Sequence, residues 1–323
     1  MNKLNHEKMI KIIKLSILVM VSTLVLYSCG KKDDVPALVI KEPEVVKIDK
    51  VITAITTKIM ENSTVINTFV SDTTIKIAEG LHRTSIVFNR ADKLPVAVYI
   101  LEADLKNAKL EMQTISPYND LLYGIQPLSE MAKDNEIAGT KLMAAINGSG
   151  YNVSTGDPTG IYYVNGVGIK TTVPTTGTFF AYYADKSTKI GGKDTKGIYR
   201  TIDYTKIKQA VSGTNWLVDN GVKAATTDVS ITARTAIGYT ANGIVYAIIV
   251  DQELSTYSNG LSIADLRDMI ASLGVVDAIN MDGGTSSSLT IRDVSQAKWN
   301  SLSKPSLGSE RRIGNGLAFV VKD

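Results

Sequence analysis

The order of apolar and polar positions divides the chain into stretches of different character. Residues 15 to 28 form an almost uncharged apolar run behind Lys3, Lys8, Lys11 and Lys14. That run has the length of a signal-peptide core and is too short for a stop-transfer helix. Gly30 to about Lys50 is polar, contains Pro36 and Pro43 and has no stable period, which predicts a flexible tether. Residues 51 to 90 alternate β-branched and polar side chains, as in Thr64 to Val70 and Thr73 to Ile77, and predict a β-rich extension. Beyond it, Val96 to Leu101 predicts a strand, Leu128 to Asn135 a short helix, and Leu142 to Ile146 an apolar core segment. Asn165-Gly166 and Asn242-Gly243 each separate two apolar runs and predict type I′ hairpins. Ser262 is placed to cap a helix whose Ile263, Leu266, Met269, Ile270 and Leu273 repeat at helical spacing until Gly274. Val275 to Met281 then reads as a strand buried on both faces, and Leu317 to Val321 as the last strand. The expected fold is α+β, a strand-rich mixed sheet with packed helices. Its organisation is a leader (1–28), a tether (29–50), the β-rich extension (51–90) and one main domain (91–323).

Composition narrows the chemistry. Of 323 residues, 44% are hydrophobic, enough for a sizeable core. Formal charge is +3, but four lysines and one glutamate fall in the first 28 residues, so the remainder balances at 31 basic and 31 acidic side chains. That balance argues against nucleic acid as a partner. The single cysteine is Cys29 and the histidines are His6 and His82, an inventory that cannot build a clustered zinc site. No nucleophile context surrounds His82, so a histidine-based triad is not expected. Leu26 to Gly30 resembles a bacterial lipobox with Cys29 as the lipidated residue, and Lys31 to Asp34 resembles a surface-display tag. The expected location is therefore the bacterial outer membrane, anchored through lipid at Cys29 and facing either the cell surface or the periplasm. The alternative is a signal anchor with an incidental cysteine.

Three segments carry candidate chemistry. Asp277 to Ser288 runs from a buried strand into an acid, two glycines and four hydroxyls. Such a segment places a carboxylate and backbone N–H groups at a strand end, where open α/β sheets bind ligands, unless it is only a tight turn. Thr232 to Gly238 and Ile248 to Glu253 bring Arg234, Asp251 and Glu253 to one sheet edge by antiparallel pairing; the alternative is a surface ion pair. Glu310 to Gly316 carries adjacent arginines, suited either to phosphate or carboxylate binding or to a solvated strand edge. This kit suits an anionic, hydroxylated ligand.

The motifs Ala144 to Gly148 with Gly150-Tyr151, Ser212-Gly213, Trp216, Asn220-Gly221, Ala233 to Gly238, Asp251, the helix from Gly260 to Leu273, Ala278 to Gly284 with Ser286, and Arg311 to Asn315 occur in the order of the phosphodiester glycosidase family, which the chain resembles from about Leu94 to Val321. It departs at Ser149 and Thr285, where the family pattern has glycine, and at Gln252, where glycine is common. The resemblance implies hydrolysis of a sugar-1-phosphodiester to free sugar and a phosphomonoester. A phosphomonoester leaves well, so a carboxylate pair without histidine suffices. By the same resemblance Asp282 and Asp251 form that pair, with Glu253 in reserve. Arg234 and Arg311 hold phosphate, Gly283, Gly284 and Thr285 donate N–H groups, and Asn147 orients a sugar hydroxyl or water. Gly148, Ser286 and Asn315 complete the expected binding set. No cofactor is expected; a carboxylate-bound Ca²⁺ or Mg²⁺ has no supporting spacing. The second functional class is a non-catalytic surface lipoprotein that binds phosphorylated or anionic glycans, and the departures keep it open.

Overall fold

The computed structural model describes residues 52–173, 175, 177–252, 256–304 and 308–322. The leader, the tether, Cys29 and Glu253 lie outside them. Among the described residues, three helices accompany many more strands, so the fold is strand-rich.

The largest sheet places eight strands in the order β1, β2, β3, β15, β14, β16, β12, β13. These are β1 (Thr68–Ala78), β2 (Leu81–Asn89), β3 (Pro95–Asp104), β15 (Ile244–Val250), β14 (Arg234–Tyr239), β16 (Asp277–Asn280), β12 (Trp216–Asp219) and β13 (Val222–Lys223). A second sheet orders β18 (Lys298–Ser301), β17 (Leu289–Asp293), β6 (Thr140–Asn147), β20 (Gly316–Lys322) and β4 (Leu110–Ile115). A third orders β10 (Thr188–Gly192), β9 (Thr178–Tyr183), β11 (Ile207–Gly213), β7 (Tyr162–Val164) and β8 (Val167–Lys170), and β19 (Arg312–Ile313) pairs with β5 (Gln126–Pro127).

Pairings between these strands are antiparallel throughout, which corrects the expected mixed sheet. Apolar runs such as Ile244 to Val250 look like parallel strands because both faces are buried, but here the cover differs on the two sides. Ile237, Ala247, Ile249 and Ile279 face a core shared with Ile146, Phe180 and Phe319 of the other sheets. Their neighbours Ala236, Ile248, Val250 and Ala278 face a second core made with helices. A period of two thus persists along each strand, with both positions apolar.

Two helices cover that second face: α1 (Ala54–Asn62) and α3 (Ile263–Ser272). Ser262 caps α3 as expected, its hydroxyl oxygen accepting from the Asp265 N–H at 3.1 Å. Ile263, Leu266, Met269 and Ile270 are buried from it. The Lys58 ammonium donates to the Leu273 carbonyl at 2.6 Å, a cation at the negative end of α3. The 51–90 segment, read as β-rich, therefore opens on a helix. It continues as β1 and β2, and β2 joins β3 in register from Leu81↔Ala103 to Asn89↔Pro95. α2 (Leu128–Asp134) buries Leu128, Met131 and Ala132 under the second sheet.

The Asn165-Gly166 turn has both residues in the left-handed region, as a type I′ hairpin requires. The other hairpin differs: only Gly243 takes positive φ, and Thr240 and Ile244 pair across a longer loop closed by the Gly243 N–H to the Thr240 carbonyl. That is a type I turn with a glycine bulge, reached because the apolar strands end one residue earlier than the dipeptide suggests.

Candidate active site

The C-terminal ends of β6, β11, β15 and β16 meet the starts of β14, β17 and β20 at one end of the sheets, as the pairs Gly316↔Asn147, Leu289↔Ile146, Ala236↔Asn280 and Arg234↔Val250 require. Residues remote in sequence converge there. The rule for open α/β sheets is not what collects them, since no parallel pairing contributes among the described residues.

Asn147 is the hub. Its amide donates to the Asp282 carbonyl at 2.8 Å, and its carbonyl oxygen accepts from the Thr235 hydroxyl at 2.8 Å and the Ser288 N–H at 3.1 Å. The side chain thus ties β6, β14 and the 282–288 loop together, and three of the four bonds a buried amide can make are used within the protein. Asn147 accordingly fixes the loop that carries Asp282. Asn315, also buried, accepts the Ser149 N–H at 2.8 Å, and its backbone carbonyl accepts the Gly148 N–H at 3.0 Å. A Cβ on Gly148 would stand 2.0 Å from the Asn315 Oδ1, so glycine is required there by close approach.

Asp282 is half-buried, and a Cβ built on Gly150 would lie 3.9 Å from its Oδ1. Burial raises its carboxyl pKa above the ordinary value, and the Ser286 side chain, the Gly283 N–H and the Arg311 charge each pull the other way. The Gly283 N–H donates to the Asp282 Oδ1 at 3.1 Å. The Gly284 N–H is taken by the Ala233 carbonyl at 2.8 Å. The expected row of free N–H groups is therefore corrected at Gly283 and Gly284: the loop spends them on its own shape.

Arg311 faces the same loop. Its Nη1 donates to the Thr285 hydroxyl at 2.7 Å and its Nε to the Tyr151 hydroxyl at 3.0 Å, with the guanidinium 6.0 Å from the Tyr151 ring centre. Two of the five N–H donors of a guanidinium are used in this way. Glu310 holds the segment from behind, accepting from the Ser129 N–H and hydroxyl at 3.1 and 2.8 Å.

Arg234 is placed elsewhere. Its guanidinium is buried and donates to the Leu261 carbonyl at 3.2 Å and to the Ser230 carbonyl and hydroxyl at 2.6 and 3.0 Å, near Asp228 at 3.5 Å. Strand alternation sets it on the helix-covered side, opposite Thr235, so it anchors the 228–230 loop and corrects the expected phosphate ligand. Asp251 lies behind the Asp282 loop. Its carboxylate accepts from the Tyr257 hydroxyl at 3.2 Å and the Lys304 N–H at 3.1 Å, beside a cavity of about 10 Å³ also lined by Gly284, Thr285 and Ser287. That is room for about one water. The structure thus groups Asn147, Gly148, Asp282, Gly283, Thr285, Ser286, Arg311 and Asn315, and sets Arg234 and Asp251 outside the group. Among the described residues no cluster of three or more His, Cys, Asp or Glu side chains could hold a metal ion.

The departures from the family pattern all gain a partner. The Ser149 hydroxyl accepts the Ser212 N–H at 2.8 Å, joining the third sheet to the site. Thr285 meets Arg311, and the Gln252 Oε1 accepts from the Thr232 hydroxyl and the Ala233 N–H at 2.9 and 3.2 Å. The supporting roles of Ser149, Ser212 and Tyr257 were not foreseen; the one signal was that Ser149 breaks a glycine motif.

The strand-rich fold is shared with solved structures. A hypothetical protein from Synechocystis superposes with a TM-score of 0.58 at 12% identity over 78% of this chain, which spans 64% of that protein's length. The catalytic domain of zebrafish N-acetylglucosamine-1-phosphodiester alpha-N-acetylglucosaminidase, auto-inhibited by its pro-peptide, superposes with a TM-score of 0.56 at 18% identity over 79% of this chain and 89% of that one. No curated protein matches the sequence. The phosphodiester glycosidase family model matches residues 140–320, more than half of the chain and every residue of the group above. The chain belongs to the phosphodiester glycosidase family.

Proposed function

We propose that this protein hydrolyses a sugar-1-phosphodiester to free sugar and a phosphomonoester. The observation that carries the reading is a half-buried Asp282, its pKa raised by burial, at the head of the loop whose Thr285 hydroxyl accepts from Arg311. In the proposed reaction Arg311 holds the phosphate through its remaining donors. Water attacks the anomeric carbon, Asp282 accepts the proton that water loses, and the bond from that carbon to the phosphate oxygen breaks. The phosphomonoester leaves with the bond's electrons, so no second carboxyl need protonate it. A raised pKa suits a general base, because it brings proton affinity closer to working pH. The name of the zebrafish relative makes N-acetylglucosamine the first sugar to try.

The test is release of free sugar by residues 52–323 from a panel of sugar-1-phosphodiesters, nucleotide sugars included. Turnover with inversion at the anomeric carbon, lowered about 10²- to 10⁴-fold by Asp282→Asn, is the expected result. Binding of the same compounds without any product would replace the reading by that of a glycan-binding protein.

A further inference from the structure

The surface beside Arg311 and Arg312 is apolar and solvent-facing. Within the loop 117–125, Tyr118 is 57% exposed, Leu121 48%, Leu122 74% and Tyr123 41%, and Val153 on the adjoining loop is exposed as well. Single exposed leucines are ordinary, but a cluster of this kind marks a binding surface.

The loop is held in shape. Tyr118 and Asn119 both take left-handed backbone, at φ 59° and 54°, which side chains with a Cβ adopt only where their surroundings impose it. The Tyr118 N–H donates to the Gln126 Oε1 at 2.7 Å, the Asp120 N–H to the Pro117 carbonyl at 3.1 Å, and the Leu122 N–H to the Asp120 Oδ1 at 3.1 Å. The 152–156 loop is locked beside it, since a Cβ on Gly156 would stand 2.0 Å from the Gly124 carbonyl oxygen.

Hydrogen bonds connect this surface to the site without interruption. Arg312 donates to the Tyr118 hydroxyl, the Tyr151 hydroxyl donates to the Arg312 carbonyl, and the Arg311 Nε donates to the Tyr151 hydroxyl. Read outward from Asp282, the order is carboxylate, Arg311, Arg312, apolar loop.

We propose that the 117–125 loop is the subsite for the alcohol esterified to the far side of the phosphate, and that this alcohol is a long-chain alkyl group. The substrate class is then the sugar phosphodiester of a lipid alcohol. Placing sugar and phosphate at Asp282 and Arg311 rests on the hydrolase reading above. A polar aglycone, such as a second sugar, would need donors and acceptors where the loop presents Leu121 and Leu122. The loop's one carboxylate, Asp120, is occupied in holding the turn.

The experiment compares the parent protein with a Leu121→Ser/Leu122→Ser double variant; both side chains are exposed, so the fold is expected to keep its melting temperature. Calorimetry with decyl phosphate, below the concentration at which it self-associates, and with glycerol phosphate reads binding independently of turnover. The parent should prefer decyl phosphate by about tenfold or more, and the variant should lose that preference. Equal affinities, or a preference undiminished in the variant, would overturn the proposal. Leucine-dependent adhesion to phosphatidylcholine vesicles without any decyl phosphate preference would overturn it too, assigning the loop to a membrane surface. Decyl and glyceryl esters of N-acetylglucosamine 1-phosphate separate the two readings. If neither is cleaved but the binding preference holds, the hydrolase reading fails and the alkyl subsite stands. If both are cleaved equally without a binding preference, the hydrolase stands and the alkyl subsite falls.

Discussion

At the scale of single residues, Asp282 carries the most consequence. Its folded-state pKa is raised, so the folded protein binds its proton more tightly than the unfolded chain does. Its stabilising contribution is therefore complete below the unfolded carboxylate value and is lost as pH rises through the folded pKa. Asp282→Asn should accordingly raise the melting temperature at pH 7 while removing turnover. A base must be ionised to work, so activity should climb with pH through the same raised value. Ser286→Ala and Arg311→Ala each remove a group that lowers it, and both should move the acidic limb of the pH–activity profile to higher pH. A limb that stays in place in both variants would show that another group titrates there. The placement of Asp282 and Arg311 at one loop was legible, because an acid before two glycines and an arginine before a strand need little context. Arg234 was less legible: which face of β14 it occupies depends on strand register, and that is set by partners β15 and β16 far along the chain. The role of Asn147 was hidden likewise, since each of its partners is remote.

Among the elements, those whose signals are local were readable. Helix α3 announces itself through Ser262, its apolar spacing and Gly274, and the β7–β8 hairpin through Asn165-Gly166. Helix α1 does not, because its Ile-Thr-Thr stretch favours strand and its stability comes from contacts: Ile59 is fully buried, and Lys58 reaches the end of α3. The hydroxyl and N–H of Thr53 are also fixed by the Asp72 carboxylate at 2.5 and 2.9 Å, which ties the entry of α1 to β1. These contacts give the N-terminal segment a definite task. Without β2, the long apolar strand β3 becomes an unprotected edge, and Val96, Val98 and Ile100 lose the cover of Ile86 and Phe88. A chain beginning at residue 91 should aggregate on expression, whereas one beginning at residue 52 should be soluble and cooperative in melting. Equal solubility of the two would refute this task.

Over the whole molecule, an ion cluster away from the site fastens the sheet. Asp277 is 1% exposed and meets Arg200 at 3.1 Å, the Tyr239 hydroxyl at 2.6 Å and the Asn220 N–H at 2.9 Å; Arg200 also pairs with the buried Asp219 and lies over the Trp216 ring. Burial, with the neighbouring Asp277 charge, pushes the Tyr239 hydroxyl pKa well up, so it stays a donor. Arg200→Ala would strand two carboxylates in the interior, a loss of about 3 kcal/mol, and should lower the melting temperature by about 6 to 12 °C. A change below about 2 °C would mean that the cluster adds nothing net. The convergence of strand ends at the site bears on how the protein is made. Asn147 reaches across 135 positions to Asp282, and Arg311 across 160 to Tyr151, so contacts of this kind form late and slowly. Strand β20 is the last of the described strands, and Arg311 and Asn315 come just before it. A chain that stops short of Arg311 therefore lacks both the guanidinium that faces the Asp282 loop and the Asn315 side chain that receives the Ser149 N–H, so the site group cannot assemble before that segment has been synthesised.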